Sequence, residues 1–471
     1  MNLDLQKSFG ALLANHGQSQ VLRFVDELNE EQLCQLAKQL AEIDFDLLKE
    51  LVRNQDQKLD WAEMARRANP PQAFRLHHKE RISPEQAKLN GQDLLSKGKI
   101  GVILVAGGQG TRLSFDLPKG LYPIGPLSNR SLLQMHCDRV LAIANRYKVC
   151  VPLYVMTSPA TDEATRRHLE ENENFGLGDD LQVFCQGSMP AIDVISGQLL
   201  LASKGELALS PDGHGGLLSA LQSNGCLQAA EQRGVEHFYY LQVDNPLAPI
   251  CEPELLGYHY LSQSELTTQV VTKRFAKEKV GNVVEIDGKV QIIEYSDFPD
   301  DVASQTNPDG SLRFWAGNIA IHVFQLQFLK RVVGTVSGLP FHRAHKPVNF
   351  INSAGEIEKP LQPNAIKFER FIFDLLPLAE RSIAVEGLAA DVFAPVKNAN
   401  GAAADSPELT QAALLFQHRN WLQAAGANLP SGVRVEIHPA WALDSHEVKQ
   451  KLQELTHSGH SLSFECDTYL Q

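Results

Sequence analysis

Up to about residue 95 the apolar positions recur at helical spacing. Leu33, Leu36, Leu40, Ile43 and Leu47 follow one another at three- and four-residue steps, which makes one apolar stripe. The spacing predicts a helical N-terminal module. Near residue 100 the period changes. The short apolar runs Ile100–Val105, Leu153–Met156, Val183–Phe184 and Phe238–Val243 each end in small or polar residues and lead into helix-like sequence. Strands alternating with helices predict a mostly parallel sheet covered on both faces. From Asn282 to Tyr295, two β-rich arms flank Asp287-Gly288, a pair suited to a tight turn with positive φ, so an antiparallel flap is expected on the sheet. Past residue 385 come an Asn-, Gly- and Ala-rich stretch from Asn398 to Asp405, a helical stretch around Ala412–Trp421 and an alternating run Val433–Ile437, which predict a small C-terminal α+β module. The expected division is 1–95, 96–388 and 389–471.

Composition narrows the chemistry. With 471 residues, 43% hydrophobic and 21% charged, the chain has material for one large core and smaller modules. A formal net charge of -13 argues against a broad basic surface, so neither nucleic acid nor an anionic membrane is an expected partner. Any phosphate must then meet a local group of cations. Seven cysteines without a C-x-x-C pair indicate neither a disulfide scaffold nor a zinc ribbon, and reduced thiols in a cytoplasm are the simplest reading. The first residues lack the basic-then-apolar order of a signal peptide, and no apolar run approaches the roughly 18 residues of a membrane helix. Three histidine pairs, His77 with His78, His342 with His345 and His457 with His460, lack the carboxylate or cysteine company of a metal site.

The sharpest local signal is Ile100-Gly-Val-Ile-Leu-Val-Ala-Gly-Gly-Gln-Gly-Thr-Arg-Leu113, a buried strand running into a glycine-rich turn, followed by Pro118-Lys119-Gly120. Glycines let backbone N–H groups approach phosphate oxygens, while Arg112 and Lys119 add charge where phosphates would sit. The order is not that of a Walker A loop, and the third glycine of a dinucleotide-binding G-x-G-x-x-G is missing. Asp244 follows the strand ending at Val243, at the carboxyl end where ligands of open α/β sheets bind, and suits a magnesium ligand.

Ala106–Leu113 with Pro118-Lys119-Gly120 resembles the signature of the eukaryotic-type UDP-sugar pyrophosphorylases, nearest in pattern to those acting on N-acetylhexosamines. Further blocks recur in the family's order: Gln186–Ala191, Pro211–Gly216, Val243-Asp-Asn245, Val280-Gly281, Ile293–Ser296, Ala316–Ala320, Pro363–Glu369 and Phe393–Asn398. The resemblance covers residues 95 to 425. It implies an α/β fold, a mostly parallel Rossmann-like nucleotidyltransferase sheet, and transfer of a uridylyl group from UTP to a sugar 1-phosphate with Mg2+ as cofactor.

The resemblance also implies roles. Val105, Ala106, Gly107 and Gly108 line the nucleotide; Arg112 and Lys119 hold its phosphates; Gln186 reads uracil and Gly213 allows close approach. Lys367 reaches UTP phosphate and Lys397 the sugar phosphate, with Asp244 on the metal. His214, Gly281, Glu294, Tyr295 and Asn318 surround the sugar. The chain departs from the pattern at His214, where acetylhexosamine enzymes usually have Asn and glucose-type enzymes tend to have His. N-acetylglucosamine 1-phosphate is the expected acceptor, with glucose 1-phosphate or galactose 1-phosphate as alternatives. A nucleotide-sugar-binding protein without catalysis would be favoured by loss of Lys119, Lys397 or Asp244, and all three are present. An NAD-dependent oxidoreductase is disfavoured by the missing glycine and by the lack of an acidic residue closing a second strand.

Overall fold

The computed structural model of the chain describes residues 2–53, 60–78, 80–335, 339–457 and 462–471. Internal packing divides the chain into two compact units.

The larger unit comprises Trp61–Cys185, Ala220–Ser337 and Leu375–Gln471. Its centre is a sheet of β1 (Ala73–Phe74), β2 (Ile100–Val105), β3 (Leu153–Thr157), β4 (Leu181–Cys185), β5 (His237–Gln242), β6 (Leu266–Thr272), β7 (Asn282–Ile286), β8 (Lys289–Ile293), β9 (Ala316–Gln325) and β10 (Ser382–Glu386). The strand order is β1-β10-β6-β9-β5-β2-β3-β4. All neighbours in this order run parallel except β9, which is antiparallel to both β5 and β6. Ile100, Val102, Ile103 and Leu104 of β2, and Leu153 and Val155 of β3, are fully buried. Such runs, apolar on both faces, are what a covered parallel sheet needs.

The expected flap is β7 and β8, joined at Asp287 (φ 51°) and Gly288 (φ 75°), a two-residue turn with positive φ at both positions. β7 also touches β9, through Asn282 opposite Gly317. The arm stops at Ile293, so Glu294 and Tyr295 lie just beyond it. The expected C-terminal elements are a helix, Pro407–Ala424, capped by Ser406, and β11 (Val435–Ile437), which pairs in parallel with β12 (Thr468–Leu470). The alternating run therefore forms strand only in its last three residues.

The smaller unit comprises Met1–Asp60, Gln186–Ser219 and Gly338–Asp374. Its core joins Leu33, Leu36 and Leu40 to Ile192, Leu199, Leu207 and Phe368. The apolar stripe of the sequence is here two helices, Glu30–Ala41 and Phe45–Arg53. Asp44 starts the second by accepting from the Leu47 N–H at 2.9 Å. The break turns Phe45 and Leu48 into the core instead of Leu47. Among the described residues no helix is long and apolar enough to cross a membrane. None of them forms a cluster of three or more His, Cys, Asp or Glu able to hold a metal, and His460 lies outside the described residues.

Candidate active site

In the larger unit β2 lies between β5 and β3, with Val105 opposite Gln242 on one side and Met156 on the other. The chain leaving all three strands therefore emerges at one carboxyl edge, the ligand-binding edge of such sheets. After Val105 and Ala106, the carbonyl of Gly107 accepts from the Ser158 hydroxyl at 2.8 Å, which ties the glycine turn to the end of β3. The turn then doubles back. Gly110 N–H donates to Leu117 O at 3.0 Å, and Lys119 N–H to Gly108 O at 2.9 Å. A Cβ on Gly110 would lie 2.8 Å from Leu117 O and from Phe115, so this hairpin-like closure requires glycine.

The closure delivers Lys119 to Asp244. Lys119 Nζ stands 3.4 Å from Asp244 Oδ2, with side-chain exposures of 18% and 13%. A spacing longer than a tight charge-assisted bond leaves both groups with unused hydrogen-bonding capacity. Arg112 lies on the short turn Thr111–Leu113, is exposed, and has no ion-pair partner among the described residues. Lys397 is brought close through its backbone: Val396 N–H donates to Asp244 O at 2.8 Å, and Lys397 N–H to Asp405 O at 2.8 Å. Its ammonium lies 5.6 Å from the centre of the Phe393 ring. Beneath Asp244, His136 Nε2 donates to Val243 O at 3.1 Å. Burial, with the Arg139 charge adding, pushes this imidazole down to about 3, so it stays neutral.

Gly281, Asn318 and Glu294 also meet. Asn318 N–H donates to Gly281 O at 2.8 Å, and a Cβ on Gly281 would come within 3.4 Å of Glu294 Oε1. The pairing of β6 with β9 shifts register after Gln269, and Ala320 takes φ 57°. This bulge re-aims the strand at Asn318. Tyr295 is exposed. Lys273, which the sequence patterns did not single out, is buried here and donates to Asn282 Oδ1 at 2.5 Å and Ala276 O at 3.3 Å. Burial lowers its ammonium to about 8, with Glu278 opposing.

The smaller unit holds the remaining positions. Gln186 is buried, and Lys367 lies on the strand Ala365–Glu369, opposite Ala344. Gly213 has φ +83°, and a Cβ on it would lie 2.5 Å from Arg370 O, so the fold itself requires glycine there. His214 Nδ1 accepts from the Ile372 N–H at 3.1 Å, and its ring stacks on Phe371 at 5.4 Å. Burial and the neighbouring His342 hold it down to about 4. A neutral ring with Nδ1 so engaged carries its proton on Nε2, and offers a ligand one donor. Asp212, also missed by sequence reasoning, is 6% exposed, and its Oδ1 has no hydrogen-bond partner among the described residues. Burial raises its carboxyl to about 6 against the pull of Arg370.

Residues 43–458 match the family described as UTP–glucose-1-phosphate uridylyltransferase. The chain is 35% identical over 430 residues to UDP-N-acetylhexosamine pyrophosphorylase-like protein 1 of Xenopus tropicalis, covering 88% of this chain and 84% of that one. It is 37% identical over 356 residues to UDP-N-acetylglucosamine pyrophosphorylase of Saccharomyces cerevisiae, covering 74% of each. The crystal structure of a protein from Entamoeba histolytica described as a UDP-N-acetylglucosamine pyrophosphorylase superposes with a TM-score of 0.74 at 29% identity, covering 82% of this chain and 96% of that one. With these relatives, and with the glycine turn, lysine and strand-end aspartate gathered at one sheet edge, the chain belongs to the UTP–glucose-1-phosphate uridylyltransferase family.

Proposed function

We propose that this protein transfers the uridylyl group of UTP to N-acetylglucosamine 1-phosphate, giving the UDP-sugar and pyrophosphate. The observation that carries the reading is the placement of Lys119 beside Asp244 at the carboxyl edge of β2 and β5. A phosphate oxygen of the sugar phosphate attacks the α-phosphorus of UTP, and the bond from that phosphorus to the oxygen bridging the β-phosphate breaks. The nucleophile is already ionised, so the residues have charge to manage and no proton to remove. Lys119 and Arg112 meet the charge that moves onto pyrophosphate, with Lys367 on UTP phosphate. Lys397 holds the sugar phosphate. Val105–Gly108 and Gly213 line the nucleotide, and Gln186 reads uracil.

Asp244 fits a magnesium site of the kind completed by substrate phosphates. It offers a single carboxylate, partly exposed and only loosely engaged by Lys119. Mg2+ bound there would offset phosphate charge at the reacting centre. Gly281, Glu294, Tyr295 and Asn318 are assigned to the sugar, and residues 96–388 to catalysis, flanked by modules 1–95 and 389–471. The yeast relative, named for UDP-N-acetylglucosamine, supports the acetylated sugar. His214 favours the second reading, glucose 1-phosphate or galactose 1-phosphate.

Thermal melts with UTP and magnesium, against melts with NAD, test the class of ligand. UTP with magnesium at 100 times its Kd adds roughly 2.7 kcal/mol, and NAD should add nothing. Asp244→Asn should reduce the part of the gain that depends on magnesium. Stabilisation by NAD alone would overturn the assignment.

A further inference from the structure

Asn245, next to Asp244, is 4% exposed, and both faces of its amide are used. Its Oδ1 accepts from the Ala394 N–H at 3.0 Å, and its Nδ2 donates to Val392 O at 2.8 Å. One residue earlier, Asp244 O accepts from the Val396 N–H at 2.8 Å. Three hydrogen bonds thus stitch residues 244–245 to residues 392–396, two of them through one side chain standing in for a strand partner. The stitched segment leads directly into Lys397, whose own N–H is fixed on Asp405 O at 2.8 Å. From its other side the Asp244 turn is held by the helix Leu132–Tyr147. There His136 donates to Val243 O, and Arg139 donates to Pro246 O and, at 3.4 Å, to Ala248 O.

We propose that Asn245 is a positioning residue that sets the Lys397 strap against Asp244, fixing the sugar-phosphate lysine relative to the metal carboxylate. The inference rests on the roles given to Asp244 and Lys397 above. The geometry demands an amide. A carboxylate would set an acceptor against the Val392 carbonyl, and alanine would leave the buried Val392 C=O and the half-buried Ala394 N–H without their partner. A shift on the order of 1 Å between groups that bind two reacting phosphates costs about a hundredfold in rate. His136 and Arg139 bond the Asp244 side and Thr410 Oγ1 donates to Pro395 O of the strap at 3.2 Å, while among the described residues the hydrogen bonds joining the two segments are those of Asn245 and the Val396 N–H.

The test is a double-mutant cycle in the full chain with N245A, N245D, K397A and N245A/K397A. It measures kcat and both KM values, together with calorimetric binding of UDP-N-acetylglucosamine and melts without ligand. N245A is expected to lower kcat and weaken sugar-nucleotide binding by about tenfold or more, with the KM for UTP within about threefold of wild type. In the K397A background the same change should cost less than about twofold, because the lysine it positions is gone. N245D, nearly the same shape, should follow N245A, and it carries the cycle if N245A does not fold. Equal losses in both backgrounds, or wild-type kcat in a folded N245A or N245D, would overturn the inference. Full activity of K397A itself would instead sink the role given to Lys397, a result the cycle separates from failure of the Asn245 proposal.

Discussion

Lys119 sits where two requirements meet. Its backbone closes the glycine turn on Gly108, and its ammonium reaches Asp244. The first requirement belongs to the main chain and survives removal of the side chain, so Lys119→Ala should melt close to wild type. Turnover at saturating UTP and magnesium should fall well over tenfold, because a charge aimed at the transition state is not replaced by water. Wild-type turnover in a steady-state assay would remove Lys119 from catalysis. Asp212 gives a residue-scale test that needs no substrate. Its carboxyl titrates at about 6 in the fold against 3.8 in the open chain, so the folded state holds its proton more tightly. Stability from this group is therefore lost as pH rises from 4 through 6, and above 6 the penalty is complete, roughly 3 kcal/mol. Asp212→Asn removes a penalty that is about half developed at pH 5 and complete at pH 8. Melts should show a larger gain at pH 8 than at pH 5, and an equal gain at both would show that this carboxyl is not raised in the fold.

The elements differ in how much of them the sequence announced. β2 was legible to the residue, because an unbroken apolar run between Lys99 and a glycine turn has one natural reading. The flap was legible from Asp287-Gly288, since few pairs take positive φ twice. β9 was not foreseen, although Gly317 and Asn318 lie on it. Its antiparallel insertion between β5 and β6 is a choice of pairing partner, which no local pattern encodes. The split at residues 42–44 was readable in principle from Asp44 ahead of Phe45 and Leu48, but the three- and four-residue steps run across it. The turn Pro211–Gly216 combines both kinds of information. Gly213→Ala forces a Cβ to within 2.5 Å of Arg370 O at φ +83°, and should cost about 1–3 kcal/mol in denaturant unfolding. Unchanged stability would mean the turn is free to relax. His214→Asn should raise kcat/KM for acetylated sugar phosphates relative to glucose 1-phosphate, by on the order of 1–3 kcal/mol in discrimination. A constant ratio across sugars would take His214 out of substrate choice and move attention to Asn318.

At the scale of the molecule, the smaller unit is assembled from three separated stretches of chain, with Leu36 packed in the same core as Ile192 and Phe368. Helical periodicity marks the first stretch as amphipathic but says nothing about what covers its apolar face, so this organisation was invisible in the sequence. The candidate site was more legible than the fold around it, because phosphate chemistry restricts residue type and spacing: a glycine turn, a lysine and a strand-end aspartate can be read before their contacts are known. Ser158, Lys273 and Asn245 were not assigned roles from sequence, because each acts through backbone or a single neighbour and carries no pattern of its own. The most direct test of the whole assignment is pyrophosphate release from UTP and magnesium with a panel of N-acetylglucosamine, N-acetylgalactosamine, glucose and galactose 1-phosphates. The expected result is saturable release that requires both substrates and ranks N-acetylglucosamine 1-phosphate first. No release with any sugar phosphate, from a folded protein that still binds UTP, would contradict it.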